Sequence, residues 1–312
     1  MEMAIQAQGL AKRYRGRGRL ALVDLQLAVP MGQLYGLVGP DGAGKTTAMR
    51  ILATVLAPSG GTAIIAGCDV ARQSEQARRH IGYMPQAFSL YPDLTVRENL
   101  DFFADINAVP AAERRKRIPH LLRFARLEEF QSRRSEYLSG GMRKKLALAC
   151  ALVHAPRVLL LDEPTTGVDP VSRRELWRIL AEVVQEGVTV LVSTPYMDEA
   201  ERCHQVGMIY EGRLLTSGPP ADLERGLPFA VLEVNARPRG VARQVVQETP
   251  GLLRWRPVGD QLRLAVADVA RARAHLEVAL PAAGAAVQTL RPARLTMEDA
   301  FIHLAETQRG AP

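Results

Sequence analysis

Cysteine is nearly missing from this sequence: Cys68, Cys150 and Cys203 are the only three in 312 residues, and they are far apart. An odd, scattered set excludes a disulfide framework and a CxxC metal site, and it suits a reducing compartment in which the thiols are small core residues. Long apolar runs are missing too. No stretch of roughly eighteen uncharged apolar residues occurs, and no apolar block precedes the basic residues of "MEMAIQAQGLAKRYRGRGRL". The expectation is a soluble, unexported chain. Aromatic residues make up only 5% of the sequence, and the arginines behind the net charge of +7 are spread along it, so that charge does not specify a nucleic-acid surface. No nucleic-acid partner is expected. There is no internal repeat either, which argues against a repeat architecture.

What is present is a length that favours one large domain plus a small one. "QLYGLVGPDGAGKTTAMRILATVL" reads as a buried strand at Leu34 to Val38, a glycine-rich loop, then a helix from about Lys45. The loop contains G-x-x-x-x-G-K-T from Gly39 to Thr46, a phosphate-binding loop in its proper strand–loop–helix setting. Gly39, Gly42 and Gly44 let the loop, with Pro40, Asp41 and Ala43 between them as further phosphate-binding positions, curl so that successive N–H groups converge on phosphate oxygens, and the helix adds its positive dipole end. Lys45 is expected to bridge the β- and γ-phosphates, Thr46 to offer its hydroxyl to Mg²⁺, and Thr47 to meet the α-phosphate.

A second element is "PRVLLLDEPTTGVDP". Val158 to Leu161 is an all-apolar strand, as a parallel sheet covered on both faces requires, and it ends in two carboxylates. Asp162 fits a Mg²⁺-associated aspartate and Glu163 a group that orients and polarises attacking water. Between the two elements, "EYLSGGMRKKLALACALVHAP" places Ser139, Gly140 and Gly141 at the start of a helix whose apolar stripe runs through Leu146, Ala149, Cys150 and Val153. That makes a second anion cradle without a lysine, so one nucleotide is expected to lie between the loop of one subunit and the Ser-Gly-Gly turn of another.

In order, "GPDGAGKTT", "GYMPQ", "LSGGM", "LLLDEP" and "TTGVDP" resemble the nucleotide-binding subunit of an ATP-binding cassette (ABC) transporter, over about residues 4 to 220. The resemblance implies a head-to-tail dimer, homo- or heteromeric, that sandwiches two ATP molecules with Mg²⁺. Tyr14 would stack on adenine. Lys45, Thr46, Gln86, Asp162 and Glu163 would serve one side of each nucleotide, with Gln86 reaching Mg²⁺ or the water and reporting ATP to a membrane partner. Ser139, Gly140, Gly141 and Asp169 belong to the remaining motifs. "LYPDLTVRENL" and "MDEAERC" resemble the group exporting drugs, antibiotics or polysaccharides, which implies membrane-spanning partner subunits and a place on the cytoplasmic face of the membrane. A soluble regulatory or translation-type ABC protein is the alternative, though such members usually carry two cassettes.

One position departs from the pattern. After the strand ending in Ser193-Thr194 this family normally has a histidine that contacts the γ-phosphate; here stands Pro195, which has no donor on its side chain or its nitrogen. Hydrolysis at the chain's own site is expected to be impaired while ATP binding survives, and a histidine-bearing partner cassette would supply the faster site. His204, placed on the following helix, is too far along to substitute.

The expected fold is α/β: a P-loop ABC ATPase core over residues 1–220, with a helical subdomain at about 87–155 in which Thr95 caps a helix. Residues 221–312 read as strand, helix, a hairpin turning at Gly259-Asp260, helix, strand and a last helix from Met297 capped by Thr296. The order βαββαβ indicates a small ferredoxin-like unit without a catalytic constellation.

Overall fold

The computed structural model describes residues 2–16, 18, 20–87 and 90–310, with 309–310 by backbone alone. Phe88 and Ser89, inside the stretch expected to be helical, lie outside the described residues, as do Arg17 and Arg19 of the basic opening segment. Two compact units emerge, one reaching Pro220 and joined by the chain's end from Ala305, the other Ala221–Leu304. The tail that sequence assigned to the second domain therefore groups with the first.

The first unit runs β1 (Met3–Arg13), β2 (Leu20–Pro30), β3 (Leu34–Val38), α1 (Lys45–Leu52), β4 (Gly60–Ile65), β5 (Cys68–Asp69), α2 (Ser74–Arg78) and β6 (Ile81–Met84). Then come α3 (Val96–Ile106), α4 (Ala111–Ala125), α5 (Gly140–Leu152), β7 (Val158–Asp162), α6 (Pro170–Gln185), β8 (Thr189–Thr194), α7 (Met197–Ala200), β9 (Gln205–Tyr210) and β10 (Arg213–Gly218). An antiparallel sheet has the order β2-β1-β4-β5; a second sheet has the order β10-β9-β3-β8-β7-β6, parallel except for β10. The patterning explains the difference. In β2, Leu25, Leu27 and Val29 are buried while Gln26 and Ala28 face out, the alternation of a one-sided sheet. In β3, β7 and β8 every residue is buried, because both faces of the parallel sheet are covered. Met49, Ile51 and Leu52 of α1 are fully buried and share one core with Ile5, Leu25, Leu37 and Leu160, each side chain contributing about 1.5–3 kcal/mol. Cys150 and Cys203 are buried as expected, whereas Cys68 is partly exposed on the short β5.

Helices α3, α4 and α5 close a separate core around Leu100, Ile118, Leu122, Leu146 and Val153. Thr95 and Glu98 form a reciprocal capping box at the start of α3. Asn99, one turn in and fully buried, accepts from the Tyr91 N–H at 2.9 Å and donates to the carbonyls of Tyr91, Leu94 and Thr95 at 3.1, 3.1 and 2.9 Å. Its amide folds the segment from Tyr91 to Thr95 back onto the helix.

The second unit contains most of α8 (Pro220–Arg225), then β11 (Ala230–Arg237), α9 (Arg239–Gln247), β12 (Leu252–Val258), β13 (Gln261–Val266), α10 (Val269–Ala282), β14 (Ala286–Ala293) and the start of α11 (Met297–Gly310). Its sheet is antiparallel throughout, in the order β12-β13-β11-β14. Both edge strands carry a proline, Pro257 and Pro292, which blunts further pairing. Leu232, Val234, Leu264 and Val266 pack under Val246 of α9 and Leu276 of α10. Beside Val231 and Ala265 lies Arg263, whose guanidinium binds Asp299 at 2.7 Å, Glu233 at 3.0 Å and the Arg294 carbonyl. Burial opposes ionisation of Asp299, but the bonds from Arg263 and Thr296 outweigh it and hold the carboxyl below its ordinary 3.8.

Two stability predictions follow from these contacts. Asn99→Ala leaves a buried turn without partners and lowers stability by about 2–3 kcal/mol, seen as an earlier thermal transition. A depressed carboxylate stabilises above its unfolded pKa and loses that contribution as pH falls through the folded one. Denaturant titrations should therefore find Asp299→Asn weaker than wild type near neutrality, with the gap closing as the pH drops below the ordinary 3.8.

Candidate functional site

The carboxyl end of β3 meets β9 so closely that a Cβ on Gly39 would lie 2.1 Å from the Ile209 carbonyl oxygen. The chain then curls through Gly42 at φ +78° and Gly44 at φ +109°, where a side chain would also strike the Ala21 carbonyl at 2.7 Å. Only glycine fits both constraints at Gly44. The loop wraps the Lys45 ammonium, which donates to the carbonyls of Gly39 at 2.8 Å and Pro40 at 3.0 Å, lies 3.3 Å from Glu163 Oε1 and is 3.9 Å from the exposed Asp41.

Asp162 ends β7 with no exposure. Its Oδ1 accepts from Ser193 Oγ of β8 at 2.6 Å and from Thr46 Oγ1 at 3.2 Å, while its Oδ2 is buried without a protein partner. A buried carboxylate oxygen left over beside a threonine hydroxyl fits a hard divalent cation such as Mg²⁺. Among the described residues no cluster of three or more acidic, histidine or cysteine side chains could hold a metal by itself. That also fits Mg²⁺, which takes one or two protein oxygens and leaves the rest to phosphate and water.

Glu163 follows in the left-handed region at φ +50°, its N–H donating to the Ser193 carbonyl at 3.1 Å and to the Ser193 hydroxyl at 3.0 Å. The turn swings the side chain to the loop. There Oε2 accepts from Gln86 Nε2 at 2.9 Å and from Thr166 Oγ1 at 3.4 Å. Tyr14 comes in from β1's end, its hydroxyl 3.3 Å from that of Thr47. Tyr14, Gly42, Gly44, Lys45, Thr46, Thr47 and Glu163 line one cavity of about 500 Å³. Arg15 and Arg50 line it as well; the sequence had singled out neither. Arg50 lies one helical turn beyond Thr46, but an arginine there reads as an ordinary helix-surface residue until the fold turns it to the cavity.

Ser139, Gly140, Gly141 and Asp169 form a different group, and none of them lines that cavity. Ser139 Oγ accepts from Met142 N at 3.2 Å, so it caps α5. A Cβ on Gly141 would collide with Ser172 Oγ at 2.4 Å, and Asp169 lies beside it. Asp169 itself caps α6, its Oδ1 accepting from Val171 N at 3.0 Å and Ser172 N at 2.9 Å; hydrogen bonding from the Ser172 side chain first, then from its backbone, holds the carboxyl below the usual range.

At the end of β8, Thr194 donates to Glu199 Oε2 at 2.5 Å, and Glu199 Oε1 accepts from Arg173 at 2.6 Å and Trp177 at 3.2 Å. Pro195 is held there, partly buried, between Thr194 and a Tyr196 whose ring lies under the Arg173 guanidinium at 4.4 Å. His204 corrects the sequence reading: α7 stops at Ala200, and His204 lies beyond it, its Nδ1 accepting from Leu34 N at 3.1 Å. Leu34 opens β3, so His204 stands at the opposite end of the strand from the loop, roughly 13 Å away.

A family profile described as ABC transporter matches residues 22–166. The chain is 48% identical over 222 residues to the probable multidrug ABC transporter ATP-binding protein YbhF of Escherichia coli K12, which covers 71% of this chain but only 38% of that protein. With the Nod factor export ATP-binding protein I of Cupriavidus metallidurans it shares 38% identity over 307 residues, 97% of this chain and 98% of the relative. A dimeric ATP-binding cassette solved in a post-hydrolysis state with ADP and Pi superposes with a TM-score of 0.63 at 27% identity, covering 69% of this chain and 98% of that one. Shared sequence along nearly the whole chain, together with the loop, carboxylates and cavity, leaves one assignment: the chain belongs to the ABC transporter family, as an ATP-binding cassette of P-loop ATPase fold.

Proposed function

We propose that this chain binds and hydrolyses ATP to energise export of a substrate across the cytoplasmic membrane, working peripherally on its inner face with membrane-spanning subunits and a second cassette. The observation that carries the chemistry is the pair of buried carboxylates at the end of β7, one with an unpartnered oxygen beside Thr46 and one held between Lys45 and Gln86. The export reading rests on the two relatives, one named for multidrug and one for Nod factor export. Among the described residues no helix is long and apolar enough to cross a membrane, so the path for a substrate is assigned to a partner.

Lys45 and the amides of the loop hold the phosphates, and Tyr14 takes the adenine. Thr46, Asp162 and Gln86 would hold Mg²⁺, which would supply charge neutralisation for the phosphates. Glu163 orients the attacking water and draws its proton, fixed for that task by Gln86. Ser139, Gly140, Gly141 and Asp169, grouped away from this cavity, serve the nucleotide of an opposing cassette. The second unit, whose strand order matches a ferredoxin-like βαββαβ arrangement, is an accessory domain.

Pro195 offers no hydrogen bond to a γ-phosphate. Hydrolysis here is mostly positioning and charge stabilisation, so this site is slow and the asymmetric pair relies on a histidine-bearing partner. ATPase assays on the purified chain should give a low kcat that Pro195→His raises about tenfold or more with little change in KM, while Glu163→Gln abolishes it. Brisk turnover by the wild-type chain alone, unimproved by the histidine, defeats the asymmetric reading. Co-purification without any membrane protein would favour the soluble alternative.

A further inference from the structure

Lys144 lies in the second turn of α5 and is only 4% exposed, a rare setting for a lysine. Its ammonium donates to the Gln86 carbonyl at 3.3 Å. The same Gln86 donates through its side chain to Glu163 Oε2 at 2.9 Å, so Lys144 stands one residue behind the base. Burial holds the Lys144 pKa below the usual lysine value, and the charges of Glu163 and Asp162 offset only part of that. Two nearly buried lysines, Lys45 and Lys144, thus face two buried carboxylates, Asp162 and Glu163.

These two lysines are held differently. Lys45 lies on the phosphate loop, 3.3 Å from Glu163, and a bound triphosphate competes for its ammonium. Lys144 is fixed by a helix and points at a backbone carbonyl, so its charge stays in place when that competition begins. We infer that Lys144 is a positioning residue for hydrolysis: it anchors the Gln86 segment from α5 and supplies the standing positive charge behind Glu163 while Lys45 is engaged with phosphate. This inference rests on the hydrolytic reading above. It also gives α5 two roles, since its first turn carries the Ser139 cap and its second turn reaches the base of its own site.

The test uses the full chain, as wild type and with Pro195→His, each combined with Lys144→Met, Lys144→Gln or Lys144→Arg. Three readouts are taken: kcat, the Kd of a fluorescent ATP analogue, and backbone hydrogen exchange in the peptide spanning Gln86. Lys144→Met should lower kcat about tenfold, leave Kd within about twofold, and speed exchange around Gln86 even without nucleotide. Lys144→Gln keeps a donor without charge, so it should restore slow exchange but not kcat; Lys144→Arg should restore both in part. An unchanged kcat, or a loss of kcat matched by an equal loss of binding, overturns the inference, as does exchange indifferent to residue 144. If Lys144→Met fails to fold, the Gln and Arg variants decide on the same measurements. If neither parent chain hydrolyses ATP though both bind it, the hydrolytic reading fails by itself, and the exchange result still decides whether Lys144 anchors Gln86.

Discussion

Burying a carboxylate is expensive unless hydrogen bonds or opposite charge compensate, and this chain buries two in succession, Asp162 and Glu163, at the end of an all-apolar strand. Most of the surrounding architecture answers that cost. Ser193 serves both residues at once, its hydroxyl donating to Asp162 while its carbonyl and hydroxyl receive the Glu163 N–H. Thr46 and Lys45, adjacent on α1, take one carboxylate each. Of the two carboxylates, what remains uncompensated is a single oxygen, Asp162 Oδ2, a position that a cation would complete under the proposed reading.

The strand order is what brings these groups together. In the sequence β9-β3-β8-β7-β6 the neighbours are parallel, so their carboxyl ends lie side by side at one edge. Along that edge come the phosphate loop after β3, Pro195 after β8, Asp162 and Glu163 at β7, and Gln86 just past β6. Segments more than 150 residues apart in the chain become nearest neighbours, as the Gly39 N–H bond to the Thr194 carbonyl illustrates. Glu163 adds a local condition, since its positive φ turns a side chain that would continue the pleat toward Lys45 instead.

The phosphate loop was legible in the sequence because glycine spacing, strand and helix each constrain the same short segment, and the structure places all three as expected. The order of elements after Phe229 was legible for a similar reason: the hairpin turn at Gly259-Asp260 and the Thr296 cap are local signals needing no knowledge of the fold. Asn99, Lys144, Glu199 and Arg50 were not. Each is an ordinary polar residue in a helical run, and only the packed fold buries Asn99, Lys144 and Glu199 or turns Arg50 to the cavity. Lys144 sits in the basic run Arg143-Lys144-Lys145, to which the sequence attached no role, and the fold closes over it. His204 erred in the other direction, because a helix of four residues is too short for its end to be fixed by sequence pattern.

Pro195 sits in this setting without strain on the scaffold. The corner after β8 does not depend on residue 195 for its shape: Thr194 is bonded to Glu199, Glu199 is fixed by Arg173 and Trp177 of α6, and the Tyr196 N–H returns to Thr194 Oγ1 at 3.1 Å. A proline there removes no backbone bond that this clamp uses, and the ring enters a segment already extended on leaving the strand. The same α6 is capped by Asp169, so the clamp and the group facing away from the cavity share one rigid helix. Under the proposed reading, what the substitution takes away is a hydrogen-bond donor and nothing of the scaffold. On that same reading, a cassette altered in this way would keep its grip on nucleotide and its surface for a second cassette, and a slow site would persist in a working pair without a cost in stability.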